Sequence, residues 1–150
     1  MIKKVLLLFI ILIFSHCGFT PIYNTNKIDY KINIIETKGD KTINKKIRTE
    51  IKRISNSSSS KTYNIKINTN YNKRIISKDL KGSPTDYRYD ASVNFEINDN
   101  NNNTEIVSYQ EKQNIKKNSN LFEQRNYENT IKNNFAISLV RKLNLELSSK

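Results

Sequence analysis

Two residues with reactive side chains stand next to each other near the start of the chain. His16 and Cys17 are the only histidine and the only cysteine among the 150 residues, and they lie within the stretch FSHCGFTPIY. An imidazole beside a thiol suggests a nucleophile with its base, and a thiol alone suggests a disulfide or a metal ligand. A single cysteine forms no internal disulfide, and one Cys with one His is too few for a structural metal site.

The segment before this pair decides which chemistry is available. Lys3 and Lys4 precede ten apolar residues, VLLLFIILIF, a run shorter than the roughly 20 residues that span a bilayer. A short basic stretch before such a run is typical of a secretory signal, and the alternative is a buried N-terminal helix or strand. We predict that residues 1–16 are a signal peptide. The mature chain then has no histidine, which excludes Ser/His and Cys/His catalysis.

Cys17 lies where bacterial lipoproteins carry the cysteine that receives diacylglycerol and becomes the new N-terminus. Ser15 is compatible with such processing, although His16 is larger than the small residue usual before the cysteine, and an ordinary cleaved signal is the alternative. We predict lipid attachment at Cys17, a tether over residues 17–29 and a single domain over residues 30–150. Each buried acyl CH₂ contributes about 0.8 kcal/mol to membrane binding, so two or three acyl chains would anchor the protein firmly.

The chain is strongly basic. Its net charge is +12, and the predicted mature part keeps 24 basic residues against 14 acidic ones. The sequence is also dense in Lys, Ile and Asn, with 23 Asn, so compositional bias is one explanation of the charge. The functional alternative is a surface that binds polyanions such as anionic lipid or lipopolysaccharide phosphate. A secreted chain without interleaved aromatic and basic residues is not expected to bind nucleic acid.

Alternation of apolar and polar residues predicts four strands. The positions expected to face the core are Ile28, Tyr30, Ile32 and Ile34 in the first strand, Tyr63, Ile65, Ile67, Thr69 and Tyr71 in the second, and Tyr87, Tyr89, Ala91, Val93, Phe95 and Ile97 in the third. A loop is predicted over residues 78–86. In the fourth strand, TEIVSYQEKQNI, either Val107 and Tyr109 or Ile106 face inward.

Two amphipathic helices complete the pattern. The first follows Asp40 as its N-cap, and the last follows Asn120, which with Glu123 resembles a capping box. Their apolar stripes are Ile43, Ile47, Ile51 and Ile54, then Tyr127, Ile131, Phe135, Leu139 and Leu143, widened by Ala136, Val140 and Leu147. The order β-α-β-β-β-α predicts an α+β two-layer sandwich, with four mostly antiparallel strands and both helices packed on one face of the sheet.

The beginning of the predicted mature chain resembles the LPS-assembly lipoproteins of the LptE family. These proteins often start with Cys-Gly-Phe, then Pro, an aliphatic residue and Tyr. The matching residues are Cys17, Gly18, Phe19, Pro21, Ile22 and Tyr23. The order of elements and the last helix, which closes with SLVRKLNLEL, are also similar to that family. The resemblance implies an outer-membrane lipoprotein, anchored at the periplasmic face, that acts as plug and assembly partner of the LptD β-barrel and binds lipopolysaccharide.

Basic residues around the loop between the second and third strands are the candidates for phosphate contacts. They are Lys73, Arg74, Lys78, Lys81 and Arg88. Arg forms forked bonds with phosphate and Lys attracts it as a point charge, whereas the alternative is a set of solvated loop charges. Leu80, at the centre of the loop, could contact an acyl chain or the barrel wall.

Other functional classes remain open at this point. One is a lipoprotein that serves as an auxiliary subunit of an ABC system for lipid or solute transport. Another is a secreted enzyme, which would need converging carboxylates; Asp90 and Glu96 are instead expected on the exposed face of the third strand. We therefore expect no catalytic residue, metal or cofactor.

Overall fold

The computed structural model describes residues 28–101 and 103–150. The predicted signal peptide, Cys17 and most of the predicted tether lie outside the described residues. The elements are β1 Lys31–Gly39, α1 Lys41–Ile54, β2 Thr62–Lys78, β3 Pro84–Asn98, β4 Thr104–Lys116 and α2 Leu121–Ser148. The predicted α+β fold and its order β-α-β-β-β-α are confirmed.

The four strands form one sheet in the order β1-β2-β3-β4. β1 is parallel to β2, because α1 carries the chain back to the start of β2, whereas β2, β3 and β4 pair antiparallel through two hairpins. A bulge between Ile34 and Glu36 interrupts β1 and leaves Ile35 unpaired and 59% exposed. The sheet is thus mostly antiparallel, as expected, with β1 and β4 at its edges.

The core lies between one face of the sheet and the two helices. Alternate side chains of β2 and β3 are buried, as the period of two predicts, and they meet the isoleucine stripe of α1 and the apolar stripe of α2. In β4, Val107 and Tyr109 are half-buried on this covered face, while Ile106 is 66% exposed. This settles the register that the sequence left open. Each fully buried Ile, Leu or Phe side chain contributes roughly 1.5–3 kcal/mol to folding.

Side-chain hydrogen bonds define the start of α1. The Asp40 carboxylate accepts from the backbone N–H of Ile43 at 2.8 Å, which confirms the predicted N-cap. Asp40 follows Gly39, whose φ of 93° turns the chain from β1 into the helix. The buried Asn44 donates to the Lys38 carbonyl and accepts from the hydroxyl of Thr69, so the turn and the neighbouring strand share a polar network.

Helix α2 differs from the prediction in its first turns. Asn120 caps it by accepting from Phe122 and Glu123, but the Glu123 carboxylate accepts from the Asn118 side chain, so the reciprocal half of the capping box does not form. Tyr127 was expected in the apolar stripe and is 55% exposed. On a helix of 3.6 residues per turn, each step of four residues rotates the side chain by about 40° around the helix axis. A line of residues spaced by four therefore turns away from the core along the helix.

The connection between β2 and β3 is tighter than expected. The loop was predicted over residues 78–86, but β2 continues to Lys78 and β3 already begins at Pro84. Proline is tolerated as the first residue of a strand because its missing N–H is not needed there. No helix within residues 28–101 and 103–150 is both long and apolar enough to cross a bilayer.

Candidate functional site

The β2–β3 hairpin carries all five basic residues that the sequence predicts for phosphate contacts. Its turn is organised by Asp79, whose Oδ1 accepts from the backbone N–H groups of Lys81 and Ser83 at 2.9 and 2.8 Å. The Asp79 backbone N–H bonds the Ser83 carbonyl, and Gly82 takes a φ of 79° to close the turn. A short, internally bonded turn therefore holds Leu80 outward, with its side chain completely exposed.

Lys73 lies on the helix-covered side of the hairpin and has structural partners. Its ammonium pairs with the carboxylate of Glu128 on α2 and lies 4.2 Å from the centre of the Tyr87 ring and 5.6 Å from that of Tyr89. Glu128 also accepts from the hydroxyl of Tyr89 at 2.9 Å and from the buried Gln124. This network joins α2 to the hairpin, so Lys73 is already committed to the fold.

The electrostatics of this network follow from its burial and its bonds. Burial acts to raise the pKa of Glu128, but the hydrogen bonds from Lys73 and Tyr89 and the charge of Lys73 outweigh it and lower the pKa below its usual value. The pKa of Tyr89 is raised, first by burial and then by its bond to the ionised Glu128. Glu128 is therefore a carboxylate at neutral pH and Tyr89 is a neutral donor.

Arg74 and Arg88 lie on the opposite, uncovered face of the sheet, where they are direct cross-strand neighbours. Two like charges in this position repel each other, and partners on neighbouring strand positions offset the repulsion. Arg74 donates to Asp90 Oδ2 from Nε at 3.1 Å and from Nη2 at 3.0 Å, while Arg88 donates from Nε to Asn114 at 2.8 Å. Two guanidinium groups thus lie next to each other with only part of their donors engaged by these partners.

Lys78 and Lys81 are exposed near the turn and have no carboxylate within 4.0 Å among the described residues. The five predicted residues therefore do not form one cluster. The structure divides them into Lys73 under the hairpin, Arg74 and Arg88 on the uncovered face, and the two lysines at the turn. Among the residues that the structure describes, Lys78 and Lys81 have no side-chain partner, unlike the other three.

The structure adds residues that the sequence analysis did not select. The backbone N–H of Lys117 donates to the Thr85 carbonyl at 2.7 Å, and Lys116 pairs with Asp86, so the end of β4 lies beside the β2–β3 turn. Lys116 and Lys117 are both exposed. The only sequence signal was the adjacent lysine pair, and its proximity to the turn depends on the register of β4. We call residues 75–86 together with 116–122 the hairpin end.

The uncovered face of the sheet is built almost entirely from polar side chains. Its residues on β2, β3 and β4 are mainly Asn, Ser, Gln and charged residues, with Ile106 as an exposed apolar exception. A shallow depression of about 200 Å³ lies in this face and is lined by Asn70, Asn72, Arg74, Asp90, Ser92 and Gln110. In this depression the Oδ1 atom of Asp90 is buried and has no hydrogen-bond partner among residues 28–101 and 103–150. A hydrated or polar partner surface suits this face.

A second cleft, of about 390 Å³, lies at the other end of the sheet. Tyr63 and Ile97 are among its lining residues, together with Lys61, Lys150 and amide and charged side chains of the β3–β4 turn. Within the described residues, no group of three His, Cys, Asp or Glu side chains is placed to hold a metal ion.

Comparison with known proteins gives a fold and no family. No protein-family model matches the chain, and no curated protein matches its sequence. The structure is similar to rare lipoprotein B from Shewanella oneidensis, with a TM-score of 0.60 and 7% identity over 79% of this chain and 94% of that one. It is also similar to uncharacterized lipoprotein B from Nitrosomonas europaea, with a TM-score of 0.55 and 12% identity over 83% and 88% of the two chains.

A minor lipoprotein from Acinetobacter baumannii is a further match, with a TM-score of 0.50 and 11% identity over 74% of this chain and 91% of that one. At such identities the similarity establishes a shared fold. All three proteins are described as lipoproteins, and none of the three descriptions includes an enzyme activity.

Proposed function

We propose that this protein is an outer-membrane lipoprotein, lipid-anchored through Cys17 at the periplasmic face, that acts as plug and assembly partner of an LptD-type β-barrel. The observation that carries the proposal is the shared fold, which extends over most of this chain and nearly all of rare lipoprotein B. A second, independent support is the CGFTPIY sequence, which resembles the start of mature LptE-family proteins.

The uncovered face of the sheet is consistent with a plug. The interior of a membrane β-barrel is polar, and a body that fills it needs a surface without large apolar patches. Here the face formed by β2, β3 and β4 presents mainly amide, hydroxyl and charged side chains. A rigid sheet backed by two helices supplies the fixed shape that such a role requires.

The proposed role includes binding of lipopolysaccharide by the basic residues of the hairpin. Lys78 and Lys81 are the foremost candidates, because neither has a carboxylate partner in the described structure. Arg74 and Arg88 remain candidates through their remaining donors. Lys73 can contribute only if it leaves Glu128, so we place it last.

The partner is tested by affinity purification. The full chain, with a C-terminal tag, is captured from detergent-solubilised outer membrane, and the co-purifying proteins are identified by mass spectrometry. The proposal expects a large outer-membrane barrel in amounts comparable to the bait, and intact mass should show acyl chains on Cys17. Capture of an inner-membrane ABC transporter instead would contradict the plug role and support the auxiliary-subunit alternative.

Lipopolysaccharide binding is tested with a matched pair of charge reversals. The double variant Lys78→Glu/Lys81→Glu should bind lipopolysaccharide at least about tenfold more weakly than the wild type, as loss of two charge-assisted contacts implies. The control is Lys45→Glu/Lys52→Glu, which makes the same change in net charge at exposed positions of α1. Equal binding by both double variants would show that the hairpin lysines are not the contact.

A further inference from the structure

The hairpin end combines exposed apolar side chains from two separate parts of the chain. Leu80 at the turn is fully exposed, and Leu121 and Phe122 at the start of α2 are 71% and 70% exposed. Ile75 and Ile76, just before the turn, are 46% and 41% exposed. Single exposed apolar residues are common on protein surfaces, but several at one end of a domain indicate an interaction site.

The hairpin end also carries four lysines. The four lysines of the hairpin end are exposed and have no carboxylate within 4.0 Å among the described residues; they are Lys78, Lys81, Lys116 and Lys117. The acidic groups nearby have other bonds. Asp79 holds the turn through two backbone N–H groups, and Asp86 accepts from the Thr85 hydroxyl. Four lysines against these two aspartates give the hairpin end a net charge of +2.

Local hydrogen bonds hold both apolar segments in place. The Asp79 carboxylate fixes the turn that presents Leu80, and the Asn120 cap fixes the first turn of α2, which presents Leu121 and Phe122. The bond from the Lys117 N–H to the Thr85 carbonyl ties the two segments together. Their apolar side chains are thus displayed without support from the core, and ordering them costs little on binding.

We propose that the hairpin end docks on the surface of an anionic phospholipid membrane. Leu80, Leu121 and Phe122 enter the interface between headgroups and acyl chains, and the four lysines contact lipid phosphates. Basic residues beside exposed apolar side chains are the combination that binds a membrane interface. Both the buried apolar area and the electrostatic attraction to anionic lipid contribute to the binding free energy. An acidic partner protein would need an apolar patch of its own to cover these side chains, whereas a bilayer supplies both phosphates and acyl chains.

The docking proposal deepens the proposed function. It rests on that function in one respect, which is that the protein is anchored at a membrane. Lys78 and Lys81 contribute to both proposals, but the ligand differs. In the docking proposal they bind the surface of a phospholipid bilayer, whereas in the proposed plug they bind lipopolysaccharide. The two can therefore fail separately.

A single tryptophan tests the docking directly, because the chain contains none. The full chain bearing Leu80→Trp is reconstituted into vesicles of phosphatidylcholine alone, or of phosphatidylcholine and phosphatidylglycerol in equal parts. In the anionic vesicles we expect a blue shift of the emission and quenching by lipids with brominated acyl chains. In phosphatidylcholine alone the emission should match that of an exposed tryptophan.

Two further variants test whether the emission change depends on the position of the tryptophan and on the four lysines. Ile106→Trp places the probe at an exposed position of β4 outside the hairpin end, and its emission should be the same in both vesicles. Reversing the four lysines to glutamate in the Leu80→Trp chain should abolish the shift, while far-UV circular dichroism stays unchanged because all four are exposed.

The outcomes separate the two proposals. Unshifted Leu80→Trp emission in anionic vesicles, or an equal shift for Ile106→Trp, overturns the docking surface. A shift with lipopolysaccharide but none with phosphatidylglycerol also overturns it and leaves the plug's lipopolysaccharide contact standing. A shift with phosphatidylglycerol, in a protein that captures no barrel, supports the docking surface and contradicts the plug.

Discussion

Two glycines of the described chain have a left-handed backbone conformation, but a Cβ atom would collide with a neighbour at only one of them. Substituting each by alanine therefore separates the cost of backbone strain from the cost of the collision. Gly39 has a φ of 93° and Gly82 a φ of 79°, a region that costs an L-residue roughly 1–2 kcal/mol. A Cβ atom on Gly39 would lie 1.7 Å from the carbonyl oxygen of Thr69, whereas a Cβ on Gly82 would meet nothing within 4 Å. Gly39 pairs with Thr69 at the end of β1, so the collision is relieved only by moving β1 away from β2.

The two alanine variants should therefore differ in stability. Gly82→Ala should lower the free energy of unfolding by about 1–2 kcal/mol, and Gly39→Ala by about 2–5 kcal/mol, because overpacking adds about 1–3 kcal/mol to the backbone strain. The second loss is a large part of the roughly 5–15 kcal/mol that stabilises a typical domain. Equilibrium urea unfolding, followed by circular dichroism, measures both. Equal losses for the two variants would refute the collision at Thr69.

Three further substitutions test the elements that hold the fold. Glu128→Gln should cost about 1–3 kcal/mol at neutral pH by weakening the bonds from Lys73 and Tyr89. The pKa of Glu128 is lowered in the folded state, so the stability difference between wild type and variant is complete above the unfolded pKa of about 4.3. It disappears as the pH falls through the pKa of folded Glu128. A difference in urea midpoints that did not change with pH would contradict this reasoning. Asp40→Ala removes the N-cap of α1 and should cost about 1 kcal/mol, with Asp40→Asn retaining most of the stability. Phe95→Ala opens a cavity at a fully buried position and should cost about 3–5 kcal/mol, also measured by urea unfolding; a loss below about 1 kcal/mol would mean that the sheet closes over the site.

Most of the fold could be predicted because β1, β2, β3 and both helices carry strong local patterns, whereas β4 has apolar residues on both faces and its register stayed open. Alternation places one face of every strand against the helices, and isoleucines at helical spacing do the same for α1. The errors lie where tertiary contacts decide. β3 begins at Pro84 because β2 continues to Lys78 and offers it a partner, which no local pattern reveals. Tyr127 leaves the core because the sheet-facing positions of α2 there are Gln124 and Glu128, which bond to Tyr89.

The candidate site was harder to predict than the fold, because charge alone does not show which groups are already paired. Lys73 and Lys78 look equivalent in the sequence, yet alternation turns Lys73 toward Glu128 and leaves Lys78 in solvent. Lys116 and Lys117 were missed for a different reason. They are more than 30 positions from the turn in sequence, and only the continuous antiparallel register of β3 and β4 places them beside it.

The length of β2 determines which face of the membrane the hairpin end can reach if the protein is both a barrel plug and a membrane-docking protein. Lys31, near the start of the described chain, pairs with Thr62, and the hairpin end begins beyond the far end of β1. From Thr62 to Lys78 the strand covers 17 residues, or about 55 Å at ~3.3 Å per residue. That length exceeds the roughly 40–45 Å thickness of a bilayer with its headgroups. A domain standing upright inside the barrel lumen would thus carry the hairpin end to the opposite face of the membrane, whereas a domain lying along the anchoring leaflet would bring the same end to that leaflet. When the barrel is reconstituted together with the Leu80→Trp chain, the first orientation predicts quenching only by brominated lipid in the distal leaflet. The second predicts quenching only by brominated lipid in the leaflet that holds the anchor, so asymmetric vesicles distinguish them.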